Sequence, residues 1–179
     1  MDYLKSFIMR DGTGIVGLEF LCGDIKNRGD VKKFVEVGCF SGQSAVVFHN
    51  SLPGSTIYCI DPWQKGYHDA DSSSHQDMVM VEKAFDIRTS NCPNIVKKKG
   101  VSEDFSSDPE LLSVDVVYID ACHTYEAVKK DIAFWLPRCR LAICGHDYST
   151  CWPGVRQAVD EVLGLPNATY CDGSWLKWL

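Results

Sequence analysis

Four residues of this 179-residue chain stand where they could do chemistry: Asp120, His123, His146 and Asp147. Asp120 ends the apolar run VDVVYID (114–120), and His123 follows in VYIDACHTYEAV (117–128). His146 and Asp147 end a second apolar run, RLAICGHD (140–147). A fold alone needs neither a carboxylate nor an imidazole at the end of so greasy a strand. Such groups can move a proton, or hold a divalent cation, or cap the loops that follow. Tyr125 and Tyr148 read as packing residues with their hydroxyls at the surface.

A second group of residues reads as a ligand cradle. EVGCFSGQS (36–44) has the order strand, glycine turn, helix. Gly38 allows a sharp turn after the strand, and Gly42 opens the helix where a ligand or another backbone approaches. The spacing is G-x-x-x-G, with Phe40 where a dinucleotide fingerprint has its middle glycine. A diphosphate fits that turn poorly, which disfavours a nicotinamide-dependent oxidoreductase. Asp61 ends TIYCID (56–61), where a carboxylate can accept from both ribose hydroxyls. Glu36 lies inside a buried strand, where a carboxylate is costly unless paired. A cationic or amino group of a ligand could pair it.

The elements that must position these residues alternate along the chain. Apolar runs at 33–38, 56–61, 94–100, 114–120 and 140–147 read as strands. Helix-like stretches lie at 42–52, 75–90, 102–107, 124–136 and 154–165. In the 124–136 stretch Val128, Ile132 and Trp135 recur at helical spacing, with Thr124 as N-cap and Pro137 as stop. Continuous apolar strands between helices predict a doubly wound, Rossmann-like α/β fold with a mostly parallel sheet covered on both faces. Ligands bind such sheets at the carboxyl ends of the strands, and most of the residues singled out above lie there. NATYCD (167–172) and SWLKWL (174–179), joined by Asp172-Gly173, predict a closing antiparallel hairpin. The first 33 residues read as one or two helices loosened by Gly12, Gly14 and Gly17. One domain over residues 1–179 is expected. Residues 62–77 read as a loop over the ligand.

FVEVGCFSGQSA, IYCIDPW, VYIDACHTYEAVKKDIAFWLPRCRLAICGHDY and GVRQAVDE resemble class I S-adenosylmethionine-dependent methyltransferases. Within these they are similar to the small methyltransferase domain 24 type, and in turn to metal-dependent macrolide-sugar O-methyltransferases and cephalosporin-hydroxylase-like proteins. The resemblance spans about residues 34–165, and the D-x-x-H-x-Y-E and G-H-D-Y pieces are its most specific parts. It implies a seven-stranded sheet and S-adenosyl-L-methionine as cofactor. Glu36, Gly38, Cys39, Ser41 and Gly42 would cradle the methionine part, Asp61 would hold the ribose with Trp63 close by, and Ser102 would lie near the adenine. Asp120 would face both the cofactor and a divalent metal, magnesium or manganese, held with His146 and Asp147. His123 resembles the general base. Relatives usually carry an acidic residue where this chain has His146, and a histidine there favours a softer metal such as manganese or zinc, or no metal at all. The implied reaction is O-methylation of a hydroxylated small molecule or sugar. The alternative is a cofactor-binding or interaction domain that transfers nothing.

Composition limits the partners. The net charge is -6, and the one basic run is Lys97-Lys98-Lys99. A duplex-binding surface needs a basic excess, so nucleic acid is not expected. No apolar run reaches the roughly 18 residues of a membrane span, and charges at Asp2, Lys5 and Arg10 break a signal-peptide core. A cytoplasmic protein with a small-molecule substrate is expected, with a two-fold homodimer as the default assembly. The nine cysteines include no C-x-x-C pair, so they read as reduced, mostly buried thiols.

Overall fold

The computed structural model describes residues 5, 7–10, 12–68 and 72–179. Helix α1 (Gly12–Arg28) precedes strand β1 (Lys33–Val37). There follow α2 (Gln43–Ser51), β2 (Thr56–Asp61), α3 (Met78–Thr89) and β3 (Ile95–Lys99). Next come β4 (Val114–Ile119), α4 (Tyr125–Trp135), β5 (Cys139–Gly145) and α5 (Pro153–Leu163). The short β6 (Ala168–Thr169) and β7 (Trp175–Trp178) end the chain. The expected helix at 102–107 is a single 3-10 turn, Ser102–Phe105.

The seven strands form one sheet in the order β3-β2-β1-β4-β5-β7-β6. β1 to β5 are parallel, and β7 runs antiparallel between β5 and β6. Side chains alternate faces along each strand. Phe34, Ile57, Cys59, Tyr118 and Cys144 therefore share one core with α1, α2 and α3. Val35, Ile60, Val117, Ile119 and Ile143 share the other with α4 and α5. Both faces are covered, which is why these strands carry continuous apolar runs.

Local choices agree with this layout. The Thr124 side chain accepts from the Ala127 N–H and starts α4. The expected loosening of the N-terminal helix by glycine has a different outcome. Gly17 lies within α1, and a Cβ there would come 2.2 Å from Asp172 Cγ. Glycine thus lets α1 approach the terminal hairpin, whose turn uses Gly173 at φ 89. The lysine run is paired rather than merely solvated. Lys97 meets Glu82 and Asp86, Lys98 meets Asp108 and Glu110, and Lys99 meets Glu82. All nine cysteines are free thiols.

Candidate active site

A cavity of about 570 Å³ opens over the carboxyl ends of the central strands. Gly38, Asp61, Ser102, Asp120, His123 and Asp147 all line it, so strand ends far apart in sequence meet at one hollow. Its size is that of a small-molecule site. Gly38 has φ 87, and a Cβ there would lie 2.1 Å from the Asp120 carbonyl oxygen. The turn after β1 is therefore glycine because β4 passes directly behind it. Gly42 is left-handed at φ 79 and faces Phe85 rather than the cavity.

The carboxylate of Asp61 organises the turn. Its Oδ2 accepts from the N–H groups of Cys39 (3.1 Å) and Phe40 (2.9 Å), and its Oδ1 accepts from Trp63 (2.8 Å). A carboxylate offers about four lone-pair positions, so these bonds leave little for two ribose hydroxyls. Two expected cradle residues are displaced. Glu36 is fully buried beneath the cavity floor, where Ser44 Oγ and Cys59 Sγ donate to its carboxylate. Burial pushes its pKa up to about 7 against the Ser44 bond. Even-numbered positions of β1 face α1–α3, so Glu36 pairs with protein groups and not with a ligand. Trp63 is 3% exposed; its indole N–H donates to the Phe40 carbonyl at 2.8 Å, and its ring packs on Phe85. It braces the turn from behind.

Glu36, Cys39 and Cys59 bring potential metal-binding atoms within 4.8 Å of one another. Both thiols donate, Cys39 to the Glu36 and Ile60 carbonyls and Cys59 to the Glu36 carboxylate. Burial pushes the Cys59 thiol up to about 11. These are protonated core thiols.

Beyond Asp61 the cavity is walled by Ser102 and Asp131. Ser102 Oγ donates to Asp131 Oδ1 at 2.7 Å and accepts from the Trp135 indole at 3.0 Å. Burial raises the Asp131 carboxyl to about 6, against the Ser102 bond. Its other oxygen is left for whatever fills the cavity.

At the opposite end, β4 and β5 deliver Asp120, His146 and Asp147, and the first residues after β4 deliver His123. His123 Nε2 lies 2.8 Å from Asp147 Oδ2 and 3.5 Å from Asp120 Oδ1. His146 Nδ1 lies 3.1 Å from the same Asp147 oxygen. Burial alone would lower the His123 pKa; the neighbouring carboxylates of Asp120 and Asp147 override it and carry it up to about 10. His146 is also raised, with burial opposing its bond to Asp147. Asp120 is lowered against its own burial, chiefly by the Arg10 charge. Asp147 adopts φ 61, a left-handed conformation that turns its carboxylate back toward both imidazoles. Trp152 covers His123, ring centroids 4.5 Å apart.

Three participants gave no sequence signal. Arg10 reaches in from the segment before α1, and its Nη2 bonds to Asp120 Oδ2 and donates to the Tyr118 hydroxyl at 3.3 Å. Asp172, from the hairpin turn, lies 3.7 Å from Arg10 Nη1 and 3.8 Å from His146 Nε2. Gln43 holds the Arg10 backbone, accepting from its N–H at 3.0 Å and donating to its carbonyl at 3.1 Å. A lone arginine in an N-terminal segment has no periodicity or motif that announces it.

The expected metal set can be tested on its donors. Asp120, His146 and Asp147 have ligand atoms within 4.8 Å of one another. Arg10 takes Asp120 Oδ2 and leaves Oδ1 facing the imidazoles, and among the described residues His123 Nε2 and His146 Nε2 are buried without a hydrogen-bond partner. His146 Nδ1 lies 3.1 Å from Asp147 Oδ2 and 4.0 Å from Asp120 Oδ1, so the three donors converge. The converging donors fit a divalent ion, which Asp120, His146 and Asp147 would hold.

A sequence-family comparison matches the methyltransferase domain family over residues 35–148. A search of the curated proteins found no match. Among solved structures, the chain is similar to the O-methyltransferase TomG from Streptomyces achromogenes, in complex with S-adenosylmethionine. Identity there is 13%, the match covers 100% of this chain and 89% of that one, and the TM-score is 0.61. It is also similar to an O-methyltransferase from Bacillus cereus in complex with S-adenosylhomocysteine, at 13% identity, 97% and 93% coverage and TM-score 0.54. Fibrillarin from Aeropyrum pernix, with natively bound S-adenosylmethionine, matches at 13% identity, 93% and 75% coverage and TM-score 0.57. The family match covers most of the chain and contains both the glycine turn and the four strand-end residues: this protein belongs to the methyltransferase domain family.

Proposed function

We propose that the chain passes the methyl group of S-adenosylmethionine to an oxygen of a hydroxylated small molecule. One observation carries this reading. A single cavity joins the glycine turn and Asp61 at one end to the Asp120, His123, His146 and Asp147 cluster at the other. A donor bound along the turn would thus meet an acceptor at the cluster. When bound, the cofactor supplies an electrophilic sulfonium methyl.

The chain's own residues supply position and charge. The backbone of residues 38–41, with Ser44, would hold the donor's amino-acid and ribose parts, and Asp61 would act by holding that turn in place. Ser102 and the unused Asp131 oxygen would face its base. At the acceptor end His123 holds its proton at neutral pH, because its pKa lies near 10. That revises its expected part as general base. Near neutrality it donates to the acceptor oxygen and stabilises the charge that develops there; it accepts a proton only as pH climbs toward 10. Orientation of the acceptor oxygen against the methyl carbon does most of the work, and the covering Trp152 helps exclude water.

Calorimetric titration of S-adenosylhomocysteine into the purified chain tests the reading. One site per chain is expected, weakened about tenfold or more by Asp61→Ala, which loosens the turn. Absence of binding to the wild-type chain would overturn the proposal. Binding without methylation of any hydroxylated acceptor would leave the non-transferring alternative.

A further inference from the structure

The acceptor needs room that the cofactor would not leave. Pockets that bury one drug-sized ligand run to roughly 300–1,000 Å³. The cavity of about 570 Å³ is of that size, and the cofactor alone is such a ligand. The cluster end then has space for a reacting hydroxyl but little for the body that carries it.

A second hollow, of about 410 Å³, lies beside the first. Met9, Arg10 and His146 line both, so they form the wall between them. His146 spans that wall. Its Nδ1 lies 3.1 Å from Asp147 Oδ2 on the cavity side, and its Nε2 lies 3.8 Å from Asp172 Oδ2 on the other. Among the described residues Ile8, Thr13, Gly14 and Asp172 complete the second hollow.

The charged groups of this hollow are already bonded to the protein. Arg10 Nη2 bonds to Asp120 Oδ2 and to the Tyr118 hydroxyl. Asp172 accepts from the Ser174 N–H at 3.0 Å and from the Ser174 hydroxyl at 2.8 Å. What is left to a ligand is flat or apolar. A guanidinium bonded along its edge keeps its faces for an aromatic ring. A methionine thioether favours the same partner. Ile8 and Met9 are 54% and 63% exposed, and a ring seated here would cover both.

We propose that the second hollow holds the body of the acceptor, and that this body is a planar aromatic ring system bearing the hydroxyl to be methylated. The ring lies against Ile8, Met9 and Arg10, and its hydroxyl reaches past His146 to the cluster. Ile8 is thereby a specificity-determining residue. The inference rests on the methyl-transfer reading and deepens it by naming the acceptor class.

The test is calorimetric titration of phenol and of 2-naphthol into the chain saturated with S-adenosylhomocysteine. The two share one hydroxyl and differ by one fused ring. Partial burial of that ring should make 2-naphthol bind about tenfold more tightly than phenol. Ile8→Asp sets a charge on the second hollow alone, and should reduce the preference to about twofold or less while S-adenosylhomocysteine affinity stays unchanged. Ile8→Met should keep the preference. Equal affinities for the wild-type chain, or binding of neither phenol, would overturn the inference. So would a tenfold preference that survives Ile8→Asp, because the ring would then lie elsewhere. S-adenosylhomocysteine binding is measured first in every sample. Its absence from the wild type would count against the methyltransferase reading; its presence without the preference counts against this inference alone.

Discussion

Replacing His123 by Gln should change how stability depends on pH. The imidazole has a pKa of 6.5 in the unfolded chain and about 10 in the folded one. The folded state therefore binds the proton more tightly. The stabilisation is fully present below pH 6.5 and is lost as pH rises toward 10. Each pH unit in that window removes about 1.4 kcal/mol. Between pH 6.5 and about pH 9.5 the wild-type chain should lose about 2–4 kcal/mol, the lower figure allowing for water around a side chain that is 23% exposed. The glutamine variant has no such titration and should lose much less. Asp147 does not blur the comparison, because its carboxyl is depressed and matters only at acid pH. His146 titrates in both proteins. Urea unfolding at about pH 6 and about pH 9.5 gives the four stabilities. A variant weaker by the same amount at both pH values would refute the imidazolium held between two carboxylates.

Three further outcomes follow from the same geometry. Gly38→Ala should destabilise the chain by about 3 kcal/mol or more in chemical denaturation, because it adds left-handed strain to a clash with the backbone of residue 120. Asp131→Asn should weaken S-adenosylhomocysteine binding about fivefold to tenfold. In the wild type that affinity should fall as pH drops below about 6, where Asp131 protonates, and the variant should show no such fall. Trp152→Ala uncovers His123 from a ring that is 42% exposed. It should raise the acceptor KM about tenfold while leaving cofactor affinity in calorimetry unchanged.

Most of the sheet was legible in the sequence, because buried parallel strands must be apolar on both faces and helices must show a 3.6-residue period. β1 to β5 and α4 follow directly from those patterns. β6 was overcalled, since Tyr170 already turns back to bond with Ser174. The site was legible where a polar residue interrupts an apolar run, as at Asp61, Asp120 and Asp147. Orientation was not legible. Glu36 and Trp63 stand beside the cavity in sequence but face the core, because strand alternation and the Phe40 carbonyl fix their directions. Arg10 and Asp172 were missed for a different reason: they arrive from remote segments, and a single charged residue carries no pattern.

β7 has a consequence for the order of assembly. It is threaded between β5 and β6, and the turn just before it supplies Asp172 to Arg10. During synthesis β1 to β5 can pair before the hairpin exists, since each of those contacts is already encoded. Arg10 at that stage has Asp120 and Tyr118 but no Asp172, and α1 lacks the surface against which Gly17 packs. Such long-range closure is slow to form. The first helix shares its core with α2 and β1 and can dock before the hairpin, so only the Asp172 contacts to Arg10 and Gly17 must wait for the last turn.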